Sequence, residues 1–175
     1  MKATQPAMYP YSYSTTLPIS APVGEVFALV DDHTRLSSHM TRRSWAMGGG
    51  SMTIDTDASH GKTIGSRLRL HGVVFGVSLF VEEVVVERMP PFRKVWETVG
   101  EPKLLVIGRY RMGVELEEFG RSSRLRVFID YDLPAKAPWR WLGALFGRYY
   151  ARWCTARIAN DAARHFGSDD ARQSR

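Results

Sequence analysis

A single cysteine, Cys154, stands in the 175 residues, so neither an intrachain disulfide nor a cysteine-cluster metal site can form. That scarcity fits a reducing, cytoplasmic setting. No stretch approaches the roughly 18 consecutive apolar residues of a membrane-spanning helix. The opening MKATQPAMYPYSYS lacks the unbroken apolar run of a signal peptide, and residues 1–10 read as a flexible tail. His33, His39, His60, His71 and His165 share no HxxxH or HExxH spacing, which removes the usual helical zinc signature. A GxSxG elbow and a dinucleotide fingerprint are both absent. HGKT at His60–Thr63 imitates the end of a phosphate-binding loop. Thr56 stands where that loop needs glycine, though, and a strand follows instead of a helix.

The net charge is +6, which would favour anionic partners if it were concentrated. It is not: the arginines are spread along the chain, and Arg42-Arg43 is the one dense pair. A nucleic-acid arm clusters its charge, so a solvated face is the reading and no nucleic-acid partner is expected.

What the chain does have is a clear change of period. In PISAPVGEVFALVDD, Ser20 is a capping residue and Pro22 suits a first turn. Val23, Val26, Phe27 and Val30 then recur as one apolar stripe, which predicts a short helix ended by Asp31-Asp32. A second short helix carrying Leu36 and Met40 is expected next. From Trp45 to Pro134 the period is two. Leu68 and Leu70 alternate with Arg67, Arg69 and His71; Tyr110, Met112, Val114 and Leu116 alternate with Arg109, Arg111, Glu115 and Glu117. Leu125, Val127, Ile129 and Tyr131 alternate with Arg124, Arg126, Asp130 and Asp132. Each pattern is a strand with one buried and one wet face, hence an antiparallel sheet. GVVFGVSLFVEEVVVE and PFRKVWETV also read as strands, although both alternations of the latter contain apolar residues. Turns are expected at Gly72, Pro90-Pro91, Gly100–Pro102 and Gly120–Ser123.

After Pro134 the period returns to 3.6 and holds from Pro138 to Phe166, a helix of about 40 Å. Its first half, PWRWLGALFGRYYARW, interleaves aromatics with arginines. On a helical wheel Leu142, Leu145, Phe146, Tyr149, Trp153, Ala156, Asn160 and Ala163 share one face, expected to cover the sheet. Asn160 in that stripe needs a partner: backbone, water, or a polar spot in a cavity. Cys154 lies off the stripe and reads as a structural thiol rather than a nucleophile.

This order resembles the helix-grip fold of the START-like (SRPBCC) superfamily, which includes lipid-transfer domains, birch-pollen-allergen-like proteins and polyketide cyclases. The resemblance spans residues 11–166 as one α+β domain, with 167–175 as a disordered tail. It implies a curved antiparallel sheet wrapped around the long helix, with a hydrophobic cavity between them. Leu68, Leu70, Trp96, Tyr110, Met112, Ile129 and Tyr131 would line that cavity from the sheet. Tyr149, Trp153 and Asn160 would face them from the helix. The loops around Gly72, around Gly100–Lys103 and before the helix would ring the mouth, with Trp139 and Trp141 beside it.

No catalytic set of the enzymatic relatives matches residue by residue. Glu82-Glu83 and Glu117-Glu118 cannot act as dyads, because neighbours in a strand point to opposite faces. One of Glu82 and Glu83 pointing inward would be a cavity acid; exposure at a strand end is the plainer account. The leading reading is therefore binding or transport of a hydrophobic small molecule or lipid, with no cofactor and no metal. A cyclase- or dehydratase-type enzyme acting on an apolar substrate is the alternative, with Tyr110, Tyr131 or a cavity glutamate assisting proton transfer. A third reading is an interaction module that touches another protein, or an anionic membrane through Trp139 and Trp141.

Overall fold

A computed structural model describes residues 9–32 and 51–173. Strand β1 (Tyr11–Ile19) leads into helix α1 (Val23–Asp31). Strands β2 (Ser51–Thr56), β3 (Arg67–Val74), β4 (Val77–Met89), β5 (Arg93–Lys103), β6 (Tyr110–Phe119) and β7 (Ser122–Tyr131) follow, and helix α2 (Trp139–Gln173) comes last. The expected second short helix, His33, His39 and the Arg42-Arg43 pair lie outside the described residues. All seven strands form one antiparallel sheet in the order β1-β7-β6-β5-β4-β3-β2.

The alternation read from the sequence becomes the two faces of this sheet. Leu68, Leu70, Val81, Val85, Met112, Val114, Leu125, Val127 and Ile129 are buried together with Val26, Phe27 and Val30 of α1 and Ala151, Ile158 and Ala159 of α2. Fully burying each large aliphatic side chain contributes about 1.5–3 kcal/mol. The arginines and glutamates between them pair across strands on the opposite face, as in Arg67–Glu82 at 3.0 Å and Arg124–Glu117 at 3.2 Å. Two register shifts of β4 against β5, after Phe80 and after Val85, bend the sheet.

Helix α1 begins at Pro22, not at a Ser20 cap: the Pro22 carbonyl accepts from the amides of Glu25 and Val26, and no side chain caps the end. Its far end is held by charge. Arg88 donates to both Asp31 carboxylate oxygens, and Lys94 donates to the Asp31 carbonyl at 2.6 Å. Lys94 has no exposed surface, which an ammonium tolerates only when paired. Burial pulls the Lys94 pKa below its usual range, with Asp31 opposing. Burial alone would raise Asp31, but the Arg88 hydrogen bonds and the Lys94 charge prevail and lower it.

The β3–β4 turn is not at Gly72, which sits inside β3. Val74 pairs with Val77, leaving Phe75-Gly76 as a two-residue loop. Both have positive φ, 50° and 76°, the geometry of a type I′ turn, which asparagine and glycine favour. A phenylalanine in that backbone costs about 1–2 kcal/mol.

Candidate functional site

The seven sheet residues expected to line a cavity all lie on the sheet's buried face. Trp96 stands opposite Val85 and Met112, Met112 opposite Ile129, and Tyr110 opposite Tyr131. The pairing of Trp96 with two inward residues settles the face of β5, which its sequence leaves open. Leu68, Leu70, Trp96, Tyr110, Met112, Ile129 and Tyr131 are all buried.

The helix residues correct the expectation. Tyr149 is 71% exposed, Asn160 is exposed and Trp153 is half-buried. All three line a shallow groove of about 610 Å³ on the outer side of α2, with Arg152, Ala156, Arg157 and Arg164. The residues facing the sheet are smaller: Gly143, Gly147, Ala151, Cys154, Thr155, Ile158, Ala159 and Ala162. Helix and sheet approach too closely for large side chains. A Cβ on Gly143 would sit 2.8 Å from the Val106 carbonyl oxygen, and one on Gly147 would sit 3.1 Å from the same atom. Thr155 reaches across to Thr15 of β1 at 2.8 Å. Asn160 satisfies its amide locally by donating to the Ala156 carbonyl at 2.8 Å.

Between α2 and the sheet lies a buried polar cluster. Successive residues of β4 alternate faces, and this settles the Glu82-Glu83 pair. Glu82 is on the outer face with Arg67 and Arg69, and Glu83 is buried inside. The Tyr110 hydroxyl donates to Glu83 Oε1. Burial and then the Glu83 charge push the Tyr110 pKa well above its usual range, so the phenol stays a donor. Tyr150 of α2 shares a hydrogen bond with Cys154, and burial chiefly raises its pKa too. Burial pushes the Cys154 thiol up to about 12. A thiol held protonated is a poor nucleophile, which agrees with the structural role read from the sequence. This cluster can position a proton or a polar substituent, and among the described residues no group of three His, Cys, Asp or Glu could hold a metal ion.

A concavity of about 390 Å³ opens at one end of the sheet, under the start of α2. The start of β4, the β5–β6 loop and the segment before α2 wall it with Val77, Leu79, Leu104, Leu105, Leu133 and Trp139. The lining matches two of the three regions expected to ring a mouth, although Gly100–Lys103 belongs to β5 and not to a loop; the third region is the start of β4, Val77–Leu79, and not Gly72. Leu104 and Leu105 carry no periodic signal, since they sit in a loop, and the sequence gives no reason to single them out. Charges edge the opening. Arg109 is held by Asp132 at 3.0 Å, Glu101 lies nearby, and Lys103 and Lys136 make no ion pair among the described residues. Leu79 lines this concavity, and Val81 and Glu83 follow it on the same face of β4. At about 3.4 Å per residue, Glu83 lies roughly 14 Å deeper along the strand.

No protein-family model and no curated protein matches the chain. Solved structures do. The chain is similar to Ara h 8.0201 at 12% identity and a TM-score of 0.63, over 90% of this chain and 98% of that one. It is similar to norcoclaurine synthase from Thalictrum flavum at 11% identity and a TM-score of 0.61, over 88% and 84%. A protein from Thermus thermophilus matches at 14% identity and a TM-score of 0.57, over 85% and 90%. Identities this low speak for fold alone. With seven antiparallel strands, one short helix and a long C-terminal helix laid on the sheet among the described residues, the chain has the birch-pollen-allergen-like, START-like helix-grip fold.

Proposed function

We propose that this chain binds a hydrophobic small molecule bearing an acidic head group, in the concavity under the start of α2 and without a cofactor. One observation carries the reading: an apolar-walled concavity of about 390 Å³ edged by two ammonium groups, Lys103 and Lys136, that make no ion pair among the described residues. Its size falls in the range of small-molecule sites, roughly 300–1,000 Å³. Each buried methylene contributes about 0.8 kcal/mol, so eight would supply roughly 6 kcal/mol before the costs of association. The ammonium groups add selectivity for a carboxylate or phosphate through charge-assisted hydrogen bonds.

Calorimetric titration with dodecanoate and with dodecanol separates the two contributions. Dodecanoate binds more tightly, and Lys103→Gln with Lys136→Gln removes the difference. Equal binding of the alcohol by the unmodified chain would refute the head-group assignment, and binding of neither would refute the site.

A second reading is favoured by the Tyr110–Glu83 pair. A buried phenol donating to a carboxylate resembles an acid–base pair, farther along β4 than the Leu79 that lines the concavity, and one structural neighbour is a synthase. Under this reading the chain orients an apolar substrate for proton transfer. Tyr110→Phe would then abolish turnover while leaving dodecanoate affinity intact.

A further inference from the structure

We propose that the mouth end of this fold docks on an anionic lipid bilayer, with Phe75 and the first turns of α2 as the inserted surface. The inference does not depend on what the concavity holds, because the residues that test it, Phe75, Arg140 and Arg148, do not line it.

Three observations converge. Phe75 is 74% exposed at the tip of the β3–β4 turn, beside Val77, which lines the concavity. It stands at a positive-φ position that asparagine would occupy with less strain, so folding gives no reason for a phenyl ring there. At the start of α2, Trp141 is 68% and Leu145 57% exposed, and Phe146 and Tyr149 continue the stripe along the outer face. Trp139, two positions before Trp141, lines the same mouth. These rings and aliphatics sit on elements that fold around one opening, the arrangement of an interfacial anchor and not of a core.

Charge selects the occupant. From Leu133 to Asn160 the chain carries Lys136, Arg140, Arg148, Arg152 and Arg157 and no acidic residue; of these, Arg157 is paired with Asp161 of the next turn at 3.3 Å. Lys103 adds another cation at the mouth; the acids there are Glu101 and Asp132, and Asp132 is engaged by Arg109. Arg140 and Arg148 are exposed and unpaired among the described residues. A collar of arginine and lysine around exposed tryptophan and tyrosine complements anionic headgroups, with the rings at headgroup depth. A second copy of this chain would bring the same unopposed cations to the contact and be repelled.

Co-sedimentation with vesicles of phosphatidylcholine alone and of phosphatidylcholine with phosphatidylserine tests this on the full chain. Binding is expected only to the phosphatidylserine vesicles, and it weakens as salt rises. Arg140→Gln with Arg148→Gln, both at exposed positions, lowers partitioning roughly twenty-five-fold, about fivefold per charge. Phe75→Asn also lowers partitioning, yet it raises the unfolding temperature, a combination that a merely structural role could not produce. No binding to phosphatidylserine vesicles at low salt overturns the proposal. So does unchanged binding by both variants, or a stable dimer that the same substitutions dissociate, which would give the surface to a second copy.

Discussion

Replacing Asp31 by asparagine strips the buried Lys94 of its counter-charge while keeping the side chain's shape. Lys94 has no exposed surface, and Asp31 is almost as deep. The Lys94 ammonium lies 3.3 Å from Asp31 Oδ1, and Arg88 Nη2 lies 2.8 Å from Oδ2. Arg88 is partly exposed and can turn its charge to water; Lys94 cannot. Removing one partner of a buried pair costs about 3–5 kcal/mol. At roughly 2–4 °C per kcal/mol for a chain this size, the unfolding temperature falls by about 6–20 °C. Urea unfolding followed by circular dichroism measures the free energy directly. A double variant, Asp31→Leu with Lys94→Met, removes the charges together and should recover most or all of the loss, because a well-packed apolar pair often equals a buried ion pair. The native Asp31 pKa lies below its unfolded value, so its contribution is present above about pH 4 and lost as pH falls through the folded pKa. Asp31→Asn therefore flattens the acid limb of the stability profile. A cost under about 1 kcal/mol for Asp31→Asn, with an unchanged acid limb, would refute the buried-pair account.

Tyr110→Phe takes a donor from buried Glu83 and should cost about 1–3 kcal/mol in urea unfolding. Gly143→Ala gains about 1 kcal/mol of helix propensity but places a Cβ 2.8 Å from the Val106 carbonyl and from Pro134 Cδ; overpacking of about 1–3 kcal/mol makes the net change destabilising, read as a lower thermal midpoint. Cys154, buried and with its thiol pushed up to about 12, should resist iodoacetamide at pH 8 in the native state and react fully in denaturant, as mass spectrometry of the modified chain would show.

The strands were legible because one face of the sheet is wet. Arg67, Arg69, Arg124 and Arg126 mark the outer face at every second position, so the inner set follows by parity. That parity fails where both faces are covered. In β5, Lys94 and Trp96 turn inward while Val95 is buried on the other side against Gly113 and Phe128, and only register with β4 and β6 decides between them. Helix α2 misled for a related reason. It is apolar on two sides, and the larger stripe, with Leu145, Phe146 and Tyr149, drew the inward assignment. Close approach selects the smaller one, with Gly143, Gly147 and Ala151. Size, not hydrophobicity, chose the face. The mouth was legible as a place but not as a residue set: Leu104, Leu105 and Lys103 belong to a loop and a strand end whose positions depend on the whole sheet. Glu83 was visible as one of two candidates, and the pleat of β4 chose it.

Native mass spectrometry of the purified chain asks whether the concavity under the start of α2 holds an acidic amphiphile. Organic extraction of anything retained, and a parallel spectrum after incubation with excess dodecanoate, complete the experiment. The expected result is either a retained molecule with an acidic head and an apolar tail, or a one-to-one dodecanoate adduct that Lys103→Gln with Lys136→Gln weakens. A bare chain mass that persists in excess dodecanoate would contradict it.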